Sequence, residues 1–153
     1  MDRLFLDANV LFSAAYLEKS GLRRIWQLED AELLSSTNAI EEVRRNLLVE
    51  RPTALFNFEQ LLAAIALVNP PAGLTLRADI KLDTKDRPIL LAAIYGKADF
   101  LLTGDIRHFG RYYGRKFEGV MTLRPADYLN LSQIELKRCP PYRFGAAVCA
   151  SYR

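Results

Sequence analysis

The chain has 153 residues, the length of one domain, and a chain of that size buries roughly two-thirds of the surface its unfolded form exposes. With 50% apolar and 25% charged residues it is neither disordered nor collagen-like, and no apolar run reaches the roughly 20 residues of a membrane span. A net charge of +3 permits nucleic-acid binding without demanding it, and Cys139 and Cys149, both close to the C-terminus, supply neither a disulfide framework nor a zinc-ligand spacing.

Met1-Asp2-Arg3 leads at once into a strand-like segment with no signal-peptide pattern, which points to a cytoplasmic protein. Leu4-Phe5-Leu6 is a short apolar run ending in Asp7, and from Ala8 to Leu17 the apolar spacing turns helical. Gly21 interrupts, and Leu22, Ile25, Trp26 and Leu28 resume a helical period with Arg23 and Arg24 on another face. Ala31 to Ser35 is a brief strand. Asn38 then caps a helix with Glu41 three residues on, a capping box with Asn in place of Ser or Thr, and the helix runs to about Glu50. Pro52 suits a first helical turn, and Leu55, Phe58, Leu61, Leu62, Ile65 and Val68 continue at helical spacing until Pro70-Pro71. These two helices form a hairpin. Leu74-Thr75-Leu76 alternates weakly, Asp83 to Asp86 is a polar loop, and Ile89 to Tyr95 is a helix closed by Gly96. Ala98 to Thr103 is the clearest buried strand and ends in Thr103-Gly104-Asp105. Gly119 to Leu123 is a last strand, and Pro125 opens a helix through about Leu131.

Strands alternating with helices predict a three-layer α/β sandwich, a short, mostly parallel sheet flanked by helices on both faces. Residues 1–131 form the domain and 132–153 an irregular C-terminal tail containing Pro140-Pro141.

Ligand sites of parallel sheets form beyond the carboxyl ends of the strands. Asp7 and Asp105 stand there, after the two best strands. Either alone reads as a turn former or helix cap, but together they suggest a shared rim. Asp86 in Lys85-Asp86-Arg87-Pro88 opens a helix, where the dipole accounts for an acid. Glu41 and Glu42 lie at similar angles from the apolar face Ala39, Ile40, Val43 and Leu47, and periodicity does not choose between them. A capping-box duty at Glu41 leaves Glu42 freer to turn toward a site. Two carboxylates 4 Å apart repel by roughly 4 kcal/mol at an effective dielectric near 20, and a cation resolves that conflict. Oxygen ligands favour Mg2+, with Mn2+ as a substitute. His108 is the sole histidine, which excludes multi-histidine zinc sites, and no Walker-type loop is present. His108 itself reads as a packing or locally hydrogen-bonding residue.

Leu4-Phe5-Leu6-Asp7-Ala8-Asn9-Val10-Leu11, the Glu-Glu-Val of the third helix, Lys85-Asp86-Arg87-Pro88-Ile89-Leu90 and Ala98-Asp99-Phe100-Leu101-Leu102-Thr103-Gly104-Asp105 resemble, in order and spacing, the successive motifs of PIN domains, over residues from about 3 to 131. The resemblance implies a metal-dependent nuclease in which Asp7, Asp86 and Asp105 hold the metal, Asn9 and Thr103 support it, and Glu42 is the helix acid. PIN domains include the VapC-like toxins of toxin-antitoxin pairs, which implies an antitoxin partner, an RNA substrate and pairing of two copies. The apolar residues from Leu55 to Val68, more than one face needs, point to the same pairing.

The expected reaction is hydrolysis of an RNA phosphodiester by a metal-activated water. Arg107, Arg111, Arg115 and Lys116, interleaved with Phe109, Tyr112 and Tyr113, suit phosphates and unstacked bases, or else form a solvated loop whose aromatics pack inward. Two rival readings remain. One is a catalytically silent PIN-like module that binds nucleic acid or regulates. The other, a magnesium-dependent phosphatase or receiver-like domain, calls for an acid pair on the first strand, where only Asp7 stands.

Overall fold

A computed structural model describes residues 1–138 of the protein; Cys139, Pro140, Pro141 and Cys149 lie outside the described residues. Six strands form one sheet in the order β3-β2-β1-β4-β6-β5. They are β1 (Asp2–Leu6), β2 (Ala31–Ser35), β3 (Ile65–Leu67), β4 (Phe100–Leu102), β5 (Lys116–Phe117) and β6 (Val120–Leu123). All neighbours run parallel except β5 and β6. From β1 the chain builds outward to β2 and β3 on one side, then returns to place β4 and β6 on the other. The order therefore reverses between β1 and β4, and the crevice beyond their carboxyl ends is where such sheets bind ligands.

Strand residues alternate between two cores, as a pleated sheet covered on both faces requires. Leu4, Leu6, Leu33 and Leu102 enter one cluster with Val10, Leu11, Val43, Leu47 and Phe58. Phe5, Leu34, Leu101 and Val120 enter the other with Leu90, Ala93 and Phe109. The helices that cover them are α1 (Ala8–Tyr16), α2 (Thr37–Glu50), α3 (Leu55–Leu62), α4 (Arg87–Tyr95), the short α5 (Ile106–Phe109) and α6 (Pro125–Arg138). None is long and apolar enough to cross a membrane.

Several expectations are corrected. The cap of α2 is Ser36, whose hydroxyl accepts from the Ala39 amide at 3.3 Å, while Asn38 is exposed. The helix expected to reach Val68 stops at Leu62, and the chain turns into the edge strand β3, paired with β2. Short apolar runs fit either period, and here the open edge of β2 decides the outcome. The segment Gly21–Gln27 is a 3-10 rather than an α-helix. Leu74-Thr75-Leu76 forms no strand. β5 was not expected; it pairs with β6 around Glu118-Gly119, both at positive φ (47° and 91°), as a two-residue hairpin turn of the primed type requires. α6 continues past Leu131 to Arg138. Gly96 does end α4, but with φ −73°: a Cβ there would lie 2.9 Å from the Val68 side chain, so close approach demands the glycine, and Lys97 takes the left-handed position.

The long connection from β3 to α4 is anchored rather than free-standing. Leu76 and Ile80 are buried in the second core. The Arg87 guanidinium donates to the carbonyls of Leu76, Arg77 and Ile80, and the Tyr112 hydroxyl donates to the Lys81 carbonyl.

Candidate metal centre

Asp7 ends β1 and caps α1. Its Oδ1 accepts from the Ala8 amide at 2.7 Å, and its Oδ2 accepts from the Thr103 hydroxyl at 2.7 Å and from Asn9 Nδ2 at 3.0 Å. Thr103, at the end of β4, is fully buried, and its oxygen also accepts from Asn9 Nδ2 and from the Asp105 amide. Asn9 Oδ1 in turn accepts from the Gly104 amide at 2.9 Å. These bonds lock the two strand ends together across the reversal point and set the spacing between Asp7 and Asp105.

Asp7, 3% exposed, has its carboxyl pushed up to about 6, first by burial and then by the charges of Glu42 and Asp86; the Thr103 and Ala8 hydrogen bonds oppose the shift. Asp86, 6% exposed, occupies the N-cap position of α4 yet caps nothing with its side chain. Its Oδ2 is buried without a hydrogen bond. Burial raises its pKa, as do the charges of Asp105 and Asp83, against the pull of His108 and Lys85. Burial would also raise Asp105, but hydrogen bonds from the His108 ring and amide outweigh it and hold that carboxyl below the usual range.

Asp7, Glu42, Asp86 and Asp105 line one cleft of about 340 Å³, with Asn9, Lys85 and Ser13 beside them. Glu41 does not line it, so α2 directs Glu42 to the cleft even though no capping box occupies Glu41. Thr103 stands behind the cleft through its bonds to Asp7 and Asn9. Arg107, Arg111, Arg115 and Lys116 are exposed on the segment that follows and line no wall of the cleft. Of the aromatics between them, Phe109 and Tyr112 are buried and offer no stacking face, while Tyr113 is half-buried. Phe109 is 1% and Tyr112 7% exposed, and the Tyr113 hydroxyl donates to the Thr103 carbonyl.

Sequence reasoning missed Ser13, Asn46, Glu50 and Lys85 in the cleft wall. A signal was present for three of them: Ser13 follows Asn9 by one helical turn, and Asn46 and Glu50 follow Glu42 by one and two. Five carboxylates, two amides and a hydroxyl line the cleft beside a single lysine, and two of the acids, Asp7 and Asp86, are raised first by burial and then by like-charged neighbours: a donor set of hard oxygens short of positive charge. That set fits a divalent cation of the Mg2+ or Mn2+ type.

Residues 3–107 match the family model of the PIN domain. No curated protein matches the sequence. Among solved structures, the fold is similar to a chain in the crystal structure of VapBC2 from Rickettsia felis bound to a DNA fragment from their promoter. The TM-score is 0.58 at 14% identity, covering 80% of this chain and 98% of that one.

Proposed function

Because the chain belongs to the PIN domain family, we propose that it is a divalent-metal-dependent endoribonuclease and the toxin of a toxin-antitoxin pair, acting in the cytoplasm. The observation that carries this reading is the convergence of Asp7, Glu42, Asp86 and Asp105 on one cleft at the strand-order reversal. Asp7, Asp86 and Asp105 would hold Mg2+ or Mn2+, with Asn9 and Thr103 fixing the Asp7 carboxylate. When bound, such an ion acidifies a water and offsets charge on the phosphate.

The chain's own residues supply geometry and charge. Thr103 and Asn9 donate to Asp7 Oδ2, so that oxygen keeps its orientation as substrate enters. Glu42, exposed at the cleft wall, is placed to accept a proton from an attacking water. Lys85 brings positive charge to the mouth, and Arg107, Arg111, Arg115 and Lys116 extend it along the following segment, where phosphates bind without base reading. The Rickettsia felis chain comes from a VapBC2 complex, which supports an antitoxin as protein partner. Exposed Leu48, Val49 and Phe56 on α2 and α3 support a second copy as another.

The test is cleavage of defined RNA and single-stranded DNA with Mg2+ or Mn2+. Asp105→Asn is expected to retain the fold and RNA binding while cleavage falls by about two orders of magnitude or more. Absence of cleavage by the purified, partner-free wild type would establish the silent binding module instead. Equal rates for wild type and variant would assign the activity elsewhere.

A further inference from the structure

A second group of ligand-bearing side chains lies beside the cleft, between the turn entering α4 and the turn after β4. One carboxylate oxygen from each of Asp83 and Asp86 and a ring nitrogen of His108 all lie within 4.8 Å of one another. Neither Asp83 nor His108 lines the acidic cleft, whereas Asp86 belongs to both groups. Asp86 itself leaves one buried carboxylate oxygen without a hydrogen-bond partner. Its side chain is 8% exposed, its Oδ2 receives no hydrogen bond, and that oxygen is the one 3.5 Å from His108 Nδ1. A buried carboxylate oxygen without a hydrogen bond is costly, the 3.5 Å contact to His108 is too long to be one, and the oxygen is aimed at the place where the other two ligands converge.

We propose that Asp83, Asp86 and His108 form a second divalent-cation site flanking the cleft, and that its imidazole nitrogen makes it a site for a first-row transition ion such as Mn2+ rather than for Mg2+. The inference extends the reading of the cleft, since Asp86 serves both. Carboxylates alone suit Mg2+, which seeks hard oxygen and keeps its waters, whereas an imidazole ligand favours softer ions.

The site is built from segments already tied together. The Asp83 carbonyl accepts from the amides of Asp86 and Arg87 at 2.9 and 3.1 Å, which closes the turn between the two acids. The Tyr112 hydroxyl bond to Lys81 joins the Asp83 loop to the segment after His108. Asp83 is exposed, so an ion enters from solvent and keeps water at its open positions. The charges facing this place are Asp83, Asp86 and Asp105 against Lys85, a balance that still favours a cation. His108 Nδ1 sits 2.6 Å from Asp105 Oδ2. An imidazole that turns to an ion releases that oxygen to the cleft, so occupancy of the second site completes the ligand set of the first.

His108 is the sole histidine, which gives the test an unambiguous signature. The untagged, metal-free full chain is titrated with Mn2+, with bound ions counted by calorimetry and the spin echo of bound Mn2+ examined for nitrogen modulation from an imidazole. Two Mn2+ per chain are expected, one of them nitrogen-coupled, with Mg2+ displacing only the uncoupled ion. His108→Gln should abolish the modulation. Asp83→Asn, at an exposed loop position, should weaken the coupled ion by at least about tenfold, since even outer-sphere changes cost that much. A single Mn2+ without nitrogen coupling, or coupling unchanged in both variants, overturns the proposal. The nuclease reading fails separately: a chain that binds the nitrogen-coupled ion but cleaves no RNA removes that reading and keeps this site, and a chain that cleaves RNA without any nitrogen-coupled Mn2+ does the reverse.

Discussion

Asp7 couples the chemistry of the cleft to the stability of the fold. Burial pushes its carboxyl up to about 6 in the folded chain, above the ordinary aspartate value of 3.8. The folded state therefore holds the proton more tightly between those values, so the stability this group contributes is present below about pH 4 and is lost as pH rises through about 6. For a group so fully buried the loss is about 3 kcal/mol. We expect the metal-free wild type to lose up to about that much unfolding free energy relative to Asp7→Asn between pH 4 and 7, with added divalent cation reversing the loss above pH 6. Urea titrations of both proteins across that range, with and without Mn2+, measure it, and a pH-independent difference would refute the account. At this scale the sequence was informative about Asp7 and Asp105, because a strand end announces where its next side chain emerges. It was silent on Asp83 and on the orphaned oxygen of Asp86, because burial and missing partners depend on what the Asp83 loop and the His108 turn do in three dimensions.

Helix α2 carries Glu42 into the cleft, and its start rests on one hydroxyl. Ser36→Ala removes the bond to the Ala39 amide and should cost about 1 kcal/mol in urea unfolding, whereas Asn38→Ala, at an exposed position inside the helix, should change stability by less than about 0.5 kcal/mol. The reverse ranking would restore Asn38 as the cap. Strongly patterned elements were readable from residue spacing: β2 and α1 lie within a residue of expectation, β4 lies inside it, and β1 ends where expected but begins two residues earlier, at Asp2. Elements whose state depends on a neighbour were not. Ile65-Ala66-Leu67 continues a helical period from α3 and becomes a strand because β2 offers an unpaired edge. Lys116-Phe117 has no strand pattern of its own and exists through its turn and its pairing with β6.

Across the whole molecule, the sheet divides the interior into two cores, and the cleft sits where elements from both converge: α1 and α2 from the first, α4 from the second. The α1–α2 side also leaves large apolar side chains outside, with Phe56 71% and Val49 83% exposed. If two copies pair through this side, Phe56→Glu should shift sedimentation at micromolar concentration from dimer to monomer while leaving the circular dichroism unchanged. A wild type that sediments as a monomer at high micromolar concentration removes the pairing.

The Arg87 clamp decides how long the chain survives in the presence of a protease. The connection from β3 to α4 exposes Arg77, Lys81 and Lys85, each a peptide bond trypsin recognises, yet cleavage needs a stretch of backbone drawn out into the enzyme's groove. Three carbonyls of that connection are gripped by one guanidinium, whose planar fork a lysine cannot reproduce. Arg87→Lys should therefore be nicked within the loop at least several-fold faster than wild type in a limited digest, at conditions where both remain folded. Equal digestion rates would show that the buried Leu76 and Ile80 hold the loop without the clamp.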